Sequence, residues 1–385
     1  MSTQFVESKT VNSLNAQSFA LTRLPAHRAT HAPGAIYTSE DIYRLEKDQI
    51  FMKEWLCVGR EEELKNVGDY VALRVVDEPV LVVRTSTTEI AAMSNMCAHR
   101  GVEVAFGKGN KRVFNCPFHG WTYDLTGKLM GAPGMNEAEN FDTSKCALPP
   151  IRLETWSGWI FINFDEAAPP LSASVASFEE DFGYLRQQDC QLAVQTVGEL
   201  NCNWKLIVEN LIDFYHLNVV HTTTNGRRFR KEAFKFGARE HGGYVSEYNS
   251  GPSTFSGEPV FGPLPWLEGK TKEFSVSGLL PPNFTLFARI DTIHPYIVWP
   301  LGPEKSRIIV YTLLPKVYFD EPEFAERVEA YRECQARVMD EDRAMLESVQ
   351  TSLHSSRFTP GRMAPIEKGV QQVLSGYLNR IFPPQ

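Results

Sequence analysis

Residues 97–121 read Cys-Ala-His-Arg-Gly-Val-Glu-Val-Ala-Phe-Gly-Lys-Gly-Asn-Lys-Arg-Val-Phe-Asn-Cys-Pro-Phe-His-Gly-Trp. Each end carries one cysteine and one histidine: Cys97-x-His99 and, after sixteen residues, Cys116-x-x-His119. Thiolates and imidazoles are soft-to-borderline ligands that suit zinc or an iron–sulfur centre. A structural zinc site normally takes a cysteine pair from one arm and a histidine pair from the other. Mixed arms suit a [2Fe–2S] cluster with one iron on two cysteines and the other on two histidines, each arm supplying one ligand to each iron. Gly101 follows the first arm after Arg100, Pro117 lies inside the second, and Gly120 and Trp121 follow it. Such loops can turn backbone N–H groups toward the cluster sulfurs and so tune its potential.

Outward from this stretch the periodicity is that of strands. Tyr70–Val76 and Val80–Arg84 are β-branched runs separated by Asp77-Glu78-Pro79, which predicts a hairpin. Short strands and Gly-rich turns continue to Trp159–Phe164, so residues 55–165 are expected to form an all-β module. The Pro-rich stretch Ala167–Ala176 marks the boundary with a mixed domain at 166–385. Residues 1–54 are expected to be a lead-in and a helix packed on that second domain. The helix is Tyr37–Trp55, with Thr38 or Ser39 as its cap. The 385 residues suffice for two domains, and 43% hydrophobic with 22% charged residues is a globular balance. A net charge of −8 gives no footprint for nucleic acid. No apolar run is long enough to span a membrane, and Met1–Ala20 lacks a signal-peptide core, so a cytoplasmic location is expected. The seven cysteines are odd in number and scattered, which is not a disulfide framework. No Gly-x-Gly-x-x-Gly follows a strand, so a nucleotide cofactor would have to act through a separate partner.

A second constellation lies in the mixed domain. On an ideal helix over residues 203–221, Trp204, Val208, Leu211 and Tyr215 form an apolar stripe, with Glu209, Asp213 and His216 on the opposite face. His216 and His221 would point about 140° apart on that helix. To share one ion they need the helix to widen or end between them, and a π-bulge or irregular turn is expected at 216–221. Alternatively His221 only caps the helix end. Downstream, positions 324, 328, 331, 335, 338, 342, 345 and 349 form a helix face reading Phe, Val, Tyr, Gln, Val, Asp, Met, Val. Asp342 is thus a carboxylate in an apolar stripe and needs a partner, either a metal or an arginine at the core edge. Its neighbours Asp340 and Glu341 are expected to point elsewhere. Two histidines and one carboxylate with open positions form the ligand set of non-heme Fe(II) oxygenases.

These residues resemble, over nearly the whole chain, the catalytic α subunits of Rieske non-heme iron oxygenases. Cys97-x-His99 with Cys116-x-x-His119-Gly-Trp is similar to the family's cluster motif. Asn203-Trp-Lys, Glu209-Asn210 and Asp213-x-x-His216-x4-His221 are similar to its mononuclear iron motif, and Asp342-Arg-Ala-Met-Leu-Glu-Ser-Val-Gln to its late carboxylate segment. The resemblance implies an α+β fold: a β-rich Rieske domain plus a catalytic domain whose antiparallel sheet is covered by helices in a START-like helix grip. It implies one [2Fe–2S] cluster on Cys97, His99, Cys116 and His119, and one Fe(II) on His216, His221 and Asp342. It also implies a homotrimer in which the cluster of one subunit serves the iron of the next across Asp213. The bland alternative for Asp213 is a local residue that orients His216.

The resemblance further implies a terminal oxygenase that takes NAD(P)H electrons from a flavin reductase, a ferredoxin or both, and hydroxylates a small organic substrate with O₂. The motif wording is closer to members that hydroxylate N- or O-alkyl compounds, leading to dealkylation, and aromatic-ring cis-dihydroxylation is the runner-up. An electron carrier fused to a small-molecule-binding domain is the reading of another class. Leu211, Phe214, Phe284, Ile293, His294 and Trp299 are candidate pocket or core residues, ordinary core being the default for most, and His294 is at least as readily a satisfied structural histidine. Arg227, Arg228, Arg230 and Lys231 form a basic cluster whose default reading is a solvated loop, with docking of an acidic ferredoxin as the functional one.

Overall fold

The computed structural model describes residues 14–224 and 229–384; Arg227 and Arg228 of the basic cluster lie outside the described residues. Phe51–Ser174 forms one compact unit, and the described residues before and after it form the other.

The first unit is built of strands β1 (Leu56–Arg60), β2 (Asp69–Val75), β3 (Glu78–Arg84), β4 (Ile90–Ser94), β5 (Lys108–Asn110), β6 (Phe114–Asn115), β7 (Thr122–Tyr123), β8 (Leu129–Gly131), β9 (Pro150–Trp156) and β10 (Trp159–Asn163). Seven of them make an antiparallel sheet in the order β1-β10-β9-β4-β3-β2-β5, and β6-β7-β8 make a smaller one. The expected β2–β3 hairpin closes at Val76–Asp77, one residue tighter than the sequence suggests, so Pro79 lies inside β3 opposite Arg74. Val80 to Val83 are all buried, which explains a continuous rather than alternating apolar run. The core of this unit gathers Leu81, Val83, Met93, Phe114, Trp121 and Tyr123 around Cys97 and Cys116.

The second unit holds β11 (Cys190–Leu200), β12 (Lys235–Ala238), β13 (Tyr244–Asn249), β14 (Phe274–Leu280), β15 (Phe284–Arg289), β16 (Ile293–Gly302) and β17 (Lys305–Pro315). They form one antiparallel sheet in the order β11-β17-β16-β15-β14-β13-β12. The apolar run Phe274–Arg289 is divided into two strands, because Pro281 and Pro282 cannot donate to a ladder and the chain reverses there. Helices are α1 (Ala35–Thr38), α2 (Glu40–Glu46), α3 (Leu171–Phe182), α4 (Trp204–Ile212), α5 (Leu217–Val220), α6 (Phe324–Leu353) and α7 (Lys368–Ile381). Ser39 caps α2, and a turn of π-helix over Lys47–Phe51 continues it.

Strand alternation divides this sheet into two faces. Phe284, Leu286, Ile293, Ile297 and Trp299 share one, and Phe178 of α3 meets Phe284 there at 5.9 Å between ring centres. Arg289, Phe287, His294, Tyr296, Val310 and Ile308 share the other, where α6 lies: Tyr296 OH donates to Gln335 at 2.7 Å. A buried polar knot ties the helices together. Glu46 of α2 accepts from Trp204 Nε1 at 2.8 Å, from Tyr377 OH at 2.7 Å and from Lys205. Tyr37 OH donates to Glu209 at 2.9 Å. These contacts join α1, α2 and α7 to α4 and so fix the segment that follows α4.

The apolar stripe on α6 holds only in its first half. Val328, Tyr331 and Gln335 are buried, but Met345 and Val349 are half exposed, and Leu346, Gln350 and Leu353 are buried instead. Alternating steps of four and three give a repeat of 3.5, whereas a straight helix turns every 3.6 residues and drifts by roughly 20° per heptad. After three heptads the buried face has moved on by one residue.

Candidate metal centres

Two loops of one design carry Cys97, His99, Cys116 and His119. Cys97 N–H donates to Val102 O and Gly101 N–H to Cys97 O, both at 2.8 Å; Cys116 N–H donates to Trp121 O at 2.7 Å and Gly120 N–H to Cys116 O at 3.0 Å. Gly101 and Gly120 close these turns at φ +76° and +74°, a region that residues with a Cβ rarely adopt. Both cysteines are 3% exposed, while His99 and His119 lie at the surface. The imidazole centres are 4.6 Å apart, and His99 stacks on Trp121 at 5.0 Å. Tyr123 OH accepts Ala98 N–H at 3.0 Å and lies 3.2 Å from Cys97 Sγ, leaving its own hydrogen for the sulfur. Burial, and then Cys97, hold the Tyr123 hydroxyl above its ordinary pKa, so it stays a donor. Two core-anchored thiols and two surface imidazoles fit a cluster whose cysteine-bound iron is buried and whose histidine-bound iron faces outward.

The second constellation converges although its parts come from distant segments. His216, His221 and Asp342 each offer a ligand atom, all within 4.8 Å of one another. The Nε2 atoms of the histidines are 3.2 Å apart, and Asp342 Oδ1 lies 3.1 Å from His221 Nε2 and 3.6 Å from His216 Nε2. The helix neither widens nor ends between His216 and His221, the two ways in which an ideal helix could bring them together. It ends at Ile212, where Asp213 Oδ1 accepts Tyr215 N–H at 2.7 Å, and resumes as the single turn α5 with His216 and His221 at its two ends. An aspartate that bonds the backbone two residues on competes with helix, so Asp213 makes the break that aims both rings. The break also explains why Tyr215, expected in the apolar stripe, is 63% exposed.

Each ring is held from behind. Asp213 Oδ2 faces His216 Nδ1 at 3.1 Å, and Glu341 Oε2 faces His221 Nδ1 at 2.8 Å. Thr223 and Thr224 hydroxyls donate to Glu341 at 2.7 and 2.8 Å. Glu341 therefore does not point away from the site, and the sequence pattern alone conceals it. Residues 341 and 342 differ by about 100° around α6, yet an imidazole has a nitrogen on each side and is gripped by both. The run of three threonines after His221, of which Thr223 and Thr224 bond Glu341, is the signal that could have revealed it. Burial pushes the Glu341 pKa up, and the bonds from His221, Thr223 and Thr224 more than offset it, leaving it lowered. With both Nδ1 hydrogens directed at carboxylates, both Nε2 atoms turn lone pairs inward. Asp342 Oδ1 is buried and receives no hydrogen bond. Three acceptors facing one another without a donor fit a bound cation, and the two-histidine, one-carboxylate set suits Fe(II).

Leu211 lines a cavity of ≈ 40 Å³ together with Asn210, Tyr296, Gln335 and Asp342. The other candidate pocket residues lie elsewhere. Phe284, Ile293 and Trp299 are buried on the face of the sheet opposite the cavity, because one-residue parity decides the face. His294 is on the correct face, but Thr292 and Thr312 hydroxyls lie 3.0 and 3.3 Å from its two ring nitrogens. Burial pulls its pKa down to about 3, so it is a neutral, satisfied side chain. Phe214 packs against Phe234 and Tyr248 at 4.6 and 4.7 Å in an aromatic cluster.

A strand-rich unit with paired Cys/His loops, together with a helix-grip sheet carrying a His/His/Asp site, defines a class of two-centre iron proteins. Residues 54–145 match the model of the Rieske [2Fe-2S] domain, and residues 180–381 match that of the ring hydroxylating alpha subunit (catalytic domain). The second match spans more than half of the chain, and the chain belongs to that family. It is 35% identical over 192 residues to the carnitine monooxygenase oxygenase subunit of Acinetobacter pittii, covering 49% of this chain and 52% of that protein. The chain thus spans about half the length of the first curated relatives it matches. It is 27% identical over 365 residues to the chloroplastic choline monooxygenase of Arabidopsis thaliana, covering 90% and 82% of the two chains. A crystal structure of a quaternary ammonium Rieske monooxygenase superposes with a TM-score of 0.77 at 24% identity, covering 93% of this chain and 97% of that one. That likeness is one of fold.

Proposed function

We propose that this chain is the terminal oxygenase component of a multicomponent system, hydroxylating an alkyl carbon next to the nitrogen of a small quaternary ammonium compound. The observation that carries this is the convergence of His216 Nε2, His221 Nε2 and Asp342 Oδ1, the last of them buried without a hydrogen-bond partner. An electron carrier needs no such site. Iron held there supplies O₂ activation, with electrons delivered through a [2Fe–2S] cluster on Cys97, His99, Cys116 and His119. Asp213 and Glu341 keep the two imidazoles aimed, each facing an Nδ1 atom. Leu211, Tyr296 and the aliphatic wall beside Asp342 offer a largely apolar cavity that limits water near the metal. The curated relatives act on carnitine and choline, which supports a trimethylammonium substrate. A hydroxyl placed on an N-methyl carbon gives a carbinolamine, which releases formaldehyde and leaves the dealkylated amine.

The same reading assigns a cytoplasmic homotrimer served by a flavin reductase, a ferredoxin or both, with Asp213 as the bridge between one subunit's cluster and its neighbour's iron. Among the described residues no helix is long and apolar enough to cross a membrane. None of the seven cysteines is in a disulfide, which supports a reducing compartment. The test is O₂ uptake by the metal-loaded protein with NAD(P)H and a supplied reductase, on glycine betaine, carnitine and choline. Formaldehyde equal to the O₂ consumed is expected. O₂ consumption without formaldehyde, or none with any of them, overturns N-dealkylation.

A further inference from the structure

Arg289 of β15 is a charge that the metal site does not explain. It is 5% exposed, and its Nε has no hydrogen-bond partner. Nη1 donates to Tyr248 OH at 2.6 Å, which leaves the Nε edge of the guanidinium open. The rings of Tyr248 and Phe287 lie 5.1 and 5.9 Å from its charge centre. A carboxylate in electrostatic range, Asp291, is turned elsewhere: it accepts from Tyr331 OH and from Thr292 Oγ1. Among the described residues no carboxylate forms an ion pair with Arg289. A buried cation without a counter-charge is strongly unfavourable, and proteins keep one where an anion arrives.

Its position says which anion. Arg289 shares a sheet face with Tyr296, which lines the cavity beside Asp342. Two runs of rings lead from it to the metal site. Phe287 meets Tyr296 at 5.2 Å, and Tyr248 meets Phe214, two residues before His216, at 4.7 Å. Burial pushes the Tyr296 hydroxyl up, with Arg289 acting against the shift and Asp342 adding to it, so one phenol feels both charges. An open guanidinium edge in a desolvated site takes a planar carboxylate with two parallel hydrogen bonds.

We propose that Arg289 binds a carboxylate of the substrate, so that the substrate is a compound with an N-alkyl group at one end and a carboxylate at the other. This rests on the N-dealkylation reading for the end that is oxidised, not for the end that is bound. The test uses the metal-loaded protein and matched pairs that differ in one group: glycine betaine against choline, and benzoate against benzyl alcohol. Dissociation constants by calorimetry and kcat/KM from O₂ uptake are measured for each. Glycine betaine is expected to bind at least about tenfold tighter than choline. In Arg289→Met the preference falls to near unity through KM, and a preference that survives this substitution overturns the assignment. Arg289→Lys retains part of the preference. If Arg289→Met fails to fold, discrimination by the unaltered protein still decides. Preference for benzoate with no turnover of either ammonium compound keeps the carboxylate assignment and overturns N-dealkylation. Equal affinity within both pairs, or binding of neither, overturns the assignment.

Discussion

The two metal sites differ in how far the chain must travel to build them. The cluster loops are local: each arm is a short turn whose cysteine, histidine and glycine are neighbours in sequence, and the two arms repeat one hydrogen-bond pattern. The His/His/Asp site is assembled from a broken helix and from a residue 120 positions or more downstream on α6. A local site tolerates change elsewhere, whereas an assembled one depends on every element that positions it. Removing a ligand from the assembled site should therefore leave the local one intact. His221→Ala is expected to lower the iron content from about three per chain to about two and to abolish turnover by at least about 100-fold, while the brown-red absorption persists. Bleaching of that colour by His221→Ala would show that the two sites are not independent.

The comparison can be sharpened inside the second site, because Asp213 and Glu341 do the same local work. Each accepts an Nδ1–H from one of the two histidines. If orientation is all that either does, Asp213→Asn and Glu341→Gln should weaken iron binding alike, by roughly 10- to 100-fold. If Asp213 also links neighbouring subunits, Asp213→Asn should lose most of its turnover even when iron is fully restored, while Glu341→Gln recovers with added Fe(II). Turnover at matched iron occupancy separates the two. Equal recovery would reduce Asp213 to an orienting residue.

This contrast also explains what the sequence disclosed. The cluster motif is legible because its spacing is its geometry. His216, His221 and Asp342 were legible as residue types, but not the way they meet. An ideal helix through 203–221 places His216 and His221 apart, and only Asp213's bond to the backbone of Tyr215 brings them together. Glu341 was hidden because a helical wheel assigns adjacent positions to different directions, and a ring gripped from two sides has no place in that picture. Whether Phe284, Ile293 and Trp299 line a pocket or belong to the core was not legible for a similar reason. Hydrophobicity says that a strand residue is buried, but only register says on which face. Lys205, helical and flanked by apolar residues, gives no hint that it closes onto Glu46.

The polar knot behind α4 contrasts with the metal site in another way, since its Glu209 carboxylate is buried against the Tyr37 hydroxyl rather than an imidazole. Burial, against the Tyr37 hydrogen bond, pushes the Glu209 pKa up to about 7 from the ordinary 4.5. The folded protein thus holds this proton more tightly than the unfolded chain does. The stability it contributes is full below about 4.5 and is lost as pH rises through about 7. Glu209→Gln keeps an acceptor for Tyr37 and has nothing to ionise. Its melting temperature should match the parent's near pH 4.5 and exceed it increasingly up to pH 7 to 8, where the gap corresponds to on the order of 3 kcal/mol. A gap that is flat across this window would show that Glu209 ionises freely in the fold.

The smallest effect expected is at the cluster, where the local design leaves one adjustable contact. Tyr123 OH has its acceptor role filled by Ala98 N–H, so its hydrogen is free for Cys97 Sγ 3.2 Å away. A hydrogen bond to sulfur withdraws charge from the cluster and favours the reduced form. Tyr123→Phe removes that bond and leaves the ring in the apolar core, which Tyr123 shares with Phe114 and Trp121. The bond is worth about 1 kcal/mol, which for one electron is roughly 40 mV. The reduction potential should fall by about that amount, with the metal content and the second site unchanged. A potential that does not move would mean that the hydroxyl serves the backbone of Ala98 alone. The symmetry of the two loops, rather than the tyrosine, would then set the potential.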